Sequence, residues 1–323
     1  MNRPADSNWT SALARKARAW LAITRVANLP TVLSNVLVGT ACGYAASVFY
    51  GAAQPLPGRF ELLVQLLSWN AGIFAGAVFF YLAGMTLNDV ADRRFDQKAN
   101  ADRPLVRGEL SVTSARLGVV VFILAGLGCV VPYGPRAMTV ALLLVGAIAA
   151  YNLTHKYFAG GVVFMGLCRA LLYPLGAATF VNRIDPNLIW WLSIPFGCLV
   201  GLYVIGVTFV ARAEALAHPG RRRWLSLALI PLCWLGVLIV HPSGLHWLWT
   251  SLAAAALTAW LGWCSYHVLS AKPNTKAAVL RWLAGLCLID AFFLTLMNLA
   301  LLAIVPALLF VGTRLLQRRL VGT

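Results

Sequence analysis

The sequence predicts an all-α, polytopic membrane protein, a bundle of about nine transmembrane helices. Hydrophobic residues make up 60% of the 323 residues and charged residues only 11%, and the mean hydropathy is +0.78. A soluble domain carries about 25% charged residues and could not cover this much apolar surface. The chain is also divided into apolar runs of membrane length, which indicates several crossings.

Nine apolar stretches are long enough to cross about 30 Å of hydrocarbon as helices. Pro, Gly and polar residues separate them, which is typical of loops. We expect one transmembrane domain, 28–313, between a basic N-terminal segment, 1–27, and a short basic tail, 314–323. The predicted spans are 28–50, 68–91, 113–133, 136–152, 161–181, 188–211, 224–241, 247–269 and 278–312.

The last stretch is too long for a single crossing. Residues 282–313 form one nearly uncharged run, and at about 1.5 Å per residue a helix of this length exceeds the hydrocarbon thickness. The run is therefore either one tilted helix that projects past the membrane or a tight hairpin around Met297–Asn298.

Basic residues predict the orientation of the bundle. With the N-terminus inside, nineteen basic residues fall in the inner segments, and the outer loops contain only Arg59, Arg136 and Arg183. This bias follows the positive-inside rule and predicts a cytoplasmic N-terminus, for a protein that we expect in a bacterial inner membrane. It also explains the net charge of +16 through inner loops and anionic lipid, so no nucleic acid partner is expected.

The C-terminal basic residues are an exception to this pattern. Nine spans would leave them outside, whereas a tenth crossing would bring them to the cytoplasmic side; they are Arg314, Arg318 and Arg319.

An acidic motif ends the second span and would lie on the cytoplasmic side. Four of the ten acidic residues of the chain fall within 88–104. Four polar residues there share one helix face over two turns: Asn88, Asp89, Asp92 and Asp96. Like charges this close repel one another unless a cation lies between them. Oxygen ligands at this spacing suit Mg²⁺, which also binds substrate phosphates.

Basic residues alternate with the acidic ones and suggest two interpretations. They would take the remaining phosphate oxygens, or they would form intrahelical ion pairs at a solvated helix end, for example between Asp92 and Arg93. These basic residues are Arg93, Arg94, Lys98 and Arg103.

The pattern N-D-x-x-D-x-x-x-D, followed by Arg103-Pro104-Leu105, Gly108 and Ser111, resembles the first aspartate-rich motif of UbiA-type intramembrane prenyltransferases. The resemblance covers most of the chain, since Arg25 and Asn28 open the first span and Tyr151 and Lys156 close the fourth.

The resemblance implies nine helices around a central cavity that opens to the cytoplasmic side and to lipid. There, Mg²⁺ bound by Asp89, Asp92 and Asp96 would hold an isoprenyl diphosphate, whose prenyl group passes to an aromatic or other small acceptor. The implied diphosphate contacts are Arg25, Asn28, Asn88, Arg103, Lys156, Arg169 and Arg212.

The sixth span departs from the family pattern, which has a second aspartate motif at its cytoplasmic end. The sequence there reads VTFVARAEALAHPGRRR, and its only acidic residue is Glu214. Either Glu214 holds one metal ion while Arg212 replaces the other, or the protein binds a prenyl diphosphate or similar lipid without transfer, or the segment is an ordinary basic loop. We expect Glu214 to be catalytic in the first case.

The second case is the alternative function, an atypical UbiA-like protein that binds a polyprenyl lipid in metabolite biosynthesis or export. The Arg-Ala-Glu-Ala sequence at 212–215 is similar to the UbiA-like member of the bacterial ebo gene cluster, which is associated with export to the periplasm.

Two charged residues lie inside predicted spans, where an isolated charge is costly. Arg169 in the fifth span is expected to face the cavity, as a phosphate ligand or a structural partner, or to extend to the membrane surface. Asp290 in the last span is expected to pair with Arg169 or another cation, to cap a polar network, or to act in catalysis.

Overall fold

The computed structural model describes residues 6–49, 59–99, 102–180, 186–215, 224–240, 247–270 and 274–320. Within these ranges the chain forms α-helices and short 3₁₀ turns, with no strand. Eight of the helical segments are long and apolar enough to cross a membrane, and Leu225–Leu238 is a shorter apolar segment. The predicted all-α, polytopic fold is therefore confirmed.

The helices follow the predicted spans closely, and α1 and α3 are additions that the sequence did not predict. Their bounds are α1 Asp6–Ile23, α2 Leu29–Phe49, α3 Arg59–Trp69, α4 Ala71–Ala99, α5 Val112–Val130, α6 Pro135–Thr154, α7 Val162–Ala170, α8 Leu172–Ala177, α9 Pro186–Ala215, α10 Leu225–Trp234, α11 Trp247–Leu269, α12 Thr275–Leu296 and α13 Ile304–Leu320.

Local sequence signals determine where several helices begin. The backbone N–H of Ser114 donates to Ser111 Oγ at 3.0 Å, which caps the start of α5. Asn274 caps α12 in the same way, since its Oδ1 accepts from the backbone N–H of Ala277 at 3.1 Å. Side-chain oxygens at these positions satisfy amide groups that have no partner inside the helix.

Glycines allow the central helices to pack closely, as small residues do in membrane bundles. A Cβ at Gly39 of α2 would overlap the backbone carbonyl of Tyr173 in α8. Gly76 of α4 faces α5, where an added Cβ would lie 3.0 Å from the Val130 side chain. The core lies between α2, α8, α9 and α12, and among its largest fully buried side chains are Tyr173, Phe196, Trp282 and Phe292.

The C-terminal run forms a hairpin rather than one long helix. α12 ends at Leu296, Asn298 adopts a left-handed φ of 60°, and α13 returns antiparallel to α12. Gln317 Nε2 donates to the backbone carbonyl of Leu280 at 2.9 Å and to Asn28 Oδ1 at 2.9 Å. The hairpin alternative is therefore correct, and it brings Arg314 to the end of the bundle where α2 begins.

Two boundaries differ from expectation. Residues 314–320 were expected in a tail but form the last turns of α13, where the buried Gln317 bonds to Asn28 and to the Leu280 carbonyl. The fifth span, expected as one helix over 161–181, is divided into α7 and α8 at Leu171. We call the end of the bundle that holds the start of α2 and the C-terminal part of α4 the site end.

Candidate functional site

The acidic motif lies on the C-terminal third of α4, which continues eight residues beyond the predicted span and so holds the whole motif on one helix. Three members are nearly buried, with exposed fractions of 6% for Asn88, 2% for Asp89 and 8% for Asp96. Asn88 Nδ2 donates to Asp92 Oδ2 at 3.3 Å one turn further along. The motif is therefore an inward-facing polar row and not a solvated helix end.

Two arginines from other segments bind Asp89. Arg25 Nη2 lies 3.0 Å from Asp89 Oδ1, and Arg103 Nη1 lies 3.2 Å from the same atom. Arg103 Nε also approaches Asp96 Oδ2 at 3.8 Å. A buried carboxylate without such partners would be strongly destabilising, so these ion pairs allow the motif to face inward.

The backbone around Arg25 is shaped to present its side chain. Arg25 adopts a left-handed conformation, φ 47° and ψ 47°, just before the 3₁₀ turn Val26–Asn28. The Tyr81 hydroxyl of α4 donates to the Arg25 carbonyl at 2.8 Å. A non-glycine residue rarely adopts this conformation, and the bond from α4 holds it in place.

Asp92 is bound by the segment that follows α6. Lys156 Nζ lies 2.8 Å and His155 Nε2 3.2 Å from Asp92 Oδ1. Lys156 also lies 4.2 Å from the centroid of the Phe95 ring. Arg212 of α9 donates to the backbone carbonyl of His155, so the sixth span contacts the site through this segment. The sequence analysis did not select His155 as a ligand of the motif.

A cavity lies inside the bundle between α2, α4, α6 and α7. Two of its wall residues contact Arg25: the Tyr81 hydroxyl donates to the Arg25 carbonyl, and Met85 Sδ lies 4.0 Å from Arg25 Nη1. Aromatic and aliphatic side chains form most of its wall, and Tyr151, Asn152 and Arg169 are among its few polar members. Its lining includes Val32, Phe80, Tyr81, Met85, Leu144, Ile148, Tyr151, Asn152, Met165 and Arg169. An apolar cavity beside a charged group suits a ligand with an apolar chain and an anionic head.

The structure brings together most of the residues selected from the sequence and places two of them, Arg169 and Asn28, elsewhere. Arg169 Nη1 donates to Asn35 Oδ1 at 3.1 Å, inside the bundle and not at the acidic motif. Asn28 accepts from Gln317 of α13 instead of facing Asp89. The backbone of Glu214 belongs to α9, while its side chain lies outside the described residues, as does His218.

Asp290 caps a buried network of neutral donors, which was one of the expected arrangements. Ser34 Oγ donates to it at 2.5 Å and Asn35 Nδ2 at 2.9 Å, and the Tyr173 hydroxyl donates to its other oxygen. Arg169 reaches this network only through Asn35. The adjacent polar pair Ser34 and Asn35 inside an apolar span was the sequence signal that could have predicted the partners of Asp290.

The motif contains the donors that Mg²⁺ prefers, namely carboxylate and amide oxygens. Among the described residues, however, no three acidic, His or Cys side chains form a group that could hold a metal ion. The carboxylates of Asp89 and Asp92 are instead paired with different basic side chains, Arg25 and Arg103 for Asp89 and Lys156 for Asp92. The oxygen atoms of the motif are therefore of the kind that Mg²⁺ binds, but its carboxylates are paired with arginine and lysine side chains.

The chain matches the model of the UbiA prenyltransferase family over residues 44–297. It is 27% identical over 215 residues to the 4-hydroxybenzoate octaprenyltransferase of Cupriavidus necator, covering 60% of this chain and 70% of the relative. It is 31% identical over 203 residues to that of Acidovorax ebreus, covering 58% and 69%.

Solved structures of the family share the fold. A UbiA homologue from Aeropyrum pernix K1 in its apo form superposes with a TM-score of 0.65 at 18% identity, covering 82% of this chain and 96% of the other. A UbiA homologue from Archaeoglobus fulgidus bound to GPP and Mg²⁺ gives 0.55 at 14% identity, covering 87% and 99%.

Proposed function

The chain belongs to the UbiA prenyltransferase family, and from this premise we propose that it transfers an isoprenyl group from a prenyl diphosphate to an aromatic or other small acceptor. The observation that supports this proposal best is an apolar cavity beside the charged group, with Tyr81 and Met85 of its wall in contact with Arg25. The relatives named above act as octaprenyltransferases on 4-hydroxybenzoate. We propose the same reaction class here without assigning the acceptor.

The diphosphate would be bound by the basic side chains around the motif. Three of these cations are each paired with a carboxylate and remain partly exposed. The exposed fraction of the side chain is 33% for Arg25, 30% for Arg103 and 26% for Lys156. A diphosphate at the cavity mouth would offer these cations new oxygen partners, and guanidinium groups bind phosphate oxygens in a bidentate manner. Arg212 would act beside them through its position next to His155.

The carboxylates released in this exchange would hold Mg²⁺. Asp89, Asp92 and Asp96 would be its ligands, with Asn88 assisting, and the metal would supply positive charge that neutralises the leaving diphosphate. Arg169 and Asn28, expected among the diphosphate ligands, lie in other hydrogen bonds. We therefore propose positioning roles for both.

The cavity would hold the prenyl chain and exclude water from the allylic carbon. The carbon–oxygen bond breaks with its electron pair going to the diphosphate, the acceptor carbon bonds to the prenyl group, and the acceptor loses a proton to water. Aromatic rings stabilise cationic charge at short range. Phe80, Tyr81 and Tyr151 line the cavity and would act in this way.

The altered sixth span favours a second candidate, a protein that binds a polyprenyl lipid in metabolite biosynthesis or export without transferring it. Glu214 is the only acidic residue in the segment where the family carries its second motif. For the first candidate we propose that Glu214 serves as a reduced second metal site. For the second candidate Glu214 would be dispensable.

We also propose that the protein is a single functional unit, 28–313, in the bacterial inner membrane with its site end on the cytoplasmic side. The distribution of basic residues supports this orientation. The position of Arg314 beside Arg281 supports it as well, since α13 returns the last basic residues to the site end.

The test uses purified protein in detergent, titrated with geranylgeranyl diphosphate with and without Mg²⁺, with diphosphate release as the readout. Release that depends on Mg²⁺ and is lost in Asp89→Ala and Asp92→Ala supports the transferase. Binding without release, unaffected by Glu214→Gln, supports the lipid-binding candidate. Full release by both Asp variants would overturn the proposed site.

A further inference from the structure

A second basic group lies at the site end, on the opposite side of the bundle from the cavity. Arg281 of α12 and Arg314 of α13 meet around Trp260 of α11: Trp260 Nε1 donates to the Arg281 carbonyl at 3.0 Å, and the Arg314 guanidinium lies 5.5 Å from the Trp260 ring centroid. Arg281 also lies 4.3 Å from the Trp263 ring. Arg281 and Arg318 both repel the charge of Arg314. We call Arg281, Arg314 and Arg318 the arginine corner.

The arginine corner has no carboxylate to balance it within the described residues. From residue 216 to the C-terminus the sequence contains one acidic residue, Asp290. Asp290 is fully buried and accepts its hydrogen bonds from Ser34, Asn35 and Tyr173. Nine residues separate it from Arg281 on α12, about 13 Å along a helix, so it does not neutralise the corner.

One guanidinium nitrogen of the corner is buried and unsatisfied. Arg281 Nη1 has no hydrogen-bond partner among the described residues. A buried donor without an acceptor is costly, and a cationic one more so. Three repelling cations with an unsatisfied donor therefore form a site that an anion would stabilise.

The surroundings identify the anion as part of a lipid. On α13, three exposed apolar side chains follow one face from the arginine corner toward the middle of the helix, namely Leu315 at 52%, Val311 at 50% and Leu308 at 66% exposed. Trp263, 42% exposed, stands beside the corner. Basic pockets between helices at a membrane surface bind phosphate head groups, and this apolar face would receive the acyl chains.

We propose that the arginine corner binds the head group of an anionic phospholipid of the phosphatidylglycerol type. The lipid phosphate lies against the guanidinium groups of Arg281 and Arg314, Arg318 adds charge at the surface, and the acyl chains lie along α13. The site is separate from the prenyl diphosphate site and does not depend on the proposed reaction.

A bound lipid would also hold α13 against the start of α2. Arg314 Nη1 donates to Gln317 Oε1 at 2.7 Å, and Gln317 Nε2 donates to Asn28 Oδ1 at 2.9 Å. Asn28 ends the 3₁₀ turn that follows Arg25. The lipid is therefore expected to stabilise the folded protein, which provides the readout.

The experiment titrates the full chain, in neutral maltoside detergent, with phosphatidylglycerol and follows the rise in melting temperature to obtain an apparent affinity. Phosphatidylcholine tests the need for net negative charge, and glycerol 3-phosphate tests whether the head group suffices without chains. The proposal expects stabilisation by phosphatidylglycerol and little by either of the other two. Equal stabilisation by phosphatidylcholine, or by glycerol 3-phosphate, would overturn the assignment to an anionic lipid.

Matched variants locate the lipid. Arg281→Gln, Arg314→Gln and Arg318→Gln are each expected to weaken phosphatidylglycerol binding roughly fivefold. Arg318 is exposed, so its replacement should leave the fold intact and keeps the test valid if the other two variants unfold. Arg116→Gln removes an exposed arginine near the start of α5 and should leave the affinity unchanged. If Arg116→Gln weakens binding as much as Arg318→Gln, the attraction is general and the proposed site is wrong.

Discussion

The bundle contains two buried acidic centres that are built from opposite kinds of partner. Asp89 is 2% exposed and is bound by Arg25 and Arg103, both about one-third exposed. Asp290 is fully buried and is bound by the hydroxyl and amide groups of Ser34, Asn35 and Tyr173. Both centres provide bonding partners for a buried carboxylate. Only the partners of Asp89 are partly exposed to water, whereas those of Asp290 are buried.

This difference separates a binding site from a scaffold. A partly exposed cation can leave its carboxylate for an incoming anion, because the anion replaces the lost charge. Neutral donors around Asp290 offer no charge to attract a ligand, and breaking them would leave buried polar groups unsatisfied. We therefore expect changes at Asp89 to affect turnover and changes at Asp290 to affect stability.

The largest effect is expected for Asp89→Asn, which keeps the shape of the side chain and removes its charge. Diphosphate release should fall about 10²–10³-fold, the range seen when one electrostatic contact at a reacting group is removed. The melting temperature should change little, since Arg25 and Arg103 can be solvated. Asp290→Asn is the control, and its release rate per folded molecule should stay within about threefold of wild type. Equal losses of release in both variants would remove the distinction between the two centres.

The second effect concerns stability. Asp290→Ala leaves three buried donors without an acceptor and should lower the free energy of unfolding by about 3 kcal/mol. Denaturant unfolding in detergent measures this change. Asp290→Asn retains one acceptor oxygen and should cost less than Asp290→Ala. If Asp290→Ala unfolds at the same denaturant concentration as wild type, the network does not stabilise the bundle.

Sequence reasoning found the first centre because its signal is local. Asn88, Asp89, Asp92 and Asp96 are close along the chain, and helical periodicity places them on one face. It could not assign the partner of Asp89, because Arg25 is 64 residues away and pairing over such a distance depends on how α2 and α4 pack. The metal expectation assigned the basic residues to phosphate and did not predict that Arg25, Arg103 and Lys156 pair with Asp89 and Asp92.

The second centre was less predictable for the same physical reason. Asp290 was recognised as a buried charge, but Ser34 is 256 residues away and is a common residue in membrane helices. The C-terminal hairpin was one of two alternatives, since composition fixes the length of an apolar run but not where it turns. The hydrogen bond from Gln317 to Asn28 holds α13 against the start of α2. The sequence around these two polar residues contains no pattern that would predict their pairing.

The third prediction tests whether the scaffold around Asp290 is rigid. Gly39→Ala would place a Cβ against the carbonyl of Tyr173, shift α8 and disturb the Tyr173 bond to Asp290. We expect a loss of about 2 kcal/mol in unfolding free energy, typical of overpacking. Gly146→Ala in α6 meets no atom within 4 Å and should be neutral or stabilising by less than about 1 kcal/mol. A tolerated Gly39→Ala would mean that α2 and α8 can separate without cost.

The smallest effect is expected at the edge of the first centre. Lys156 Nζ contacts Asp92 Oδ1 at 2.8 Å and lies over Phe95, and a lysine binds phosphate as a point charge without the bidentate geometry of arginine. Lys156→Gln should therefore raise the KM for prenyl diphosphate about tenfold, a loss of about 1.4 kcal/mol, with kcat reduced less. Lys98→Gln removes an exposed lysine from the last turn of α4, the helix that carries Asp92 and Phe95. This control should change KM by less than about twofold. If both lysine variants raise KM equally, the effect comes from the general charge of the site end, and the exchange of partners proposed for Asp92 would have to be abandoned.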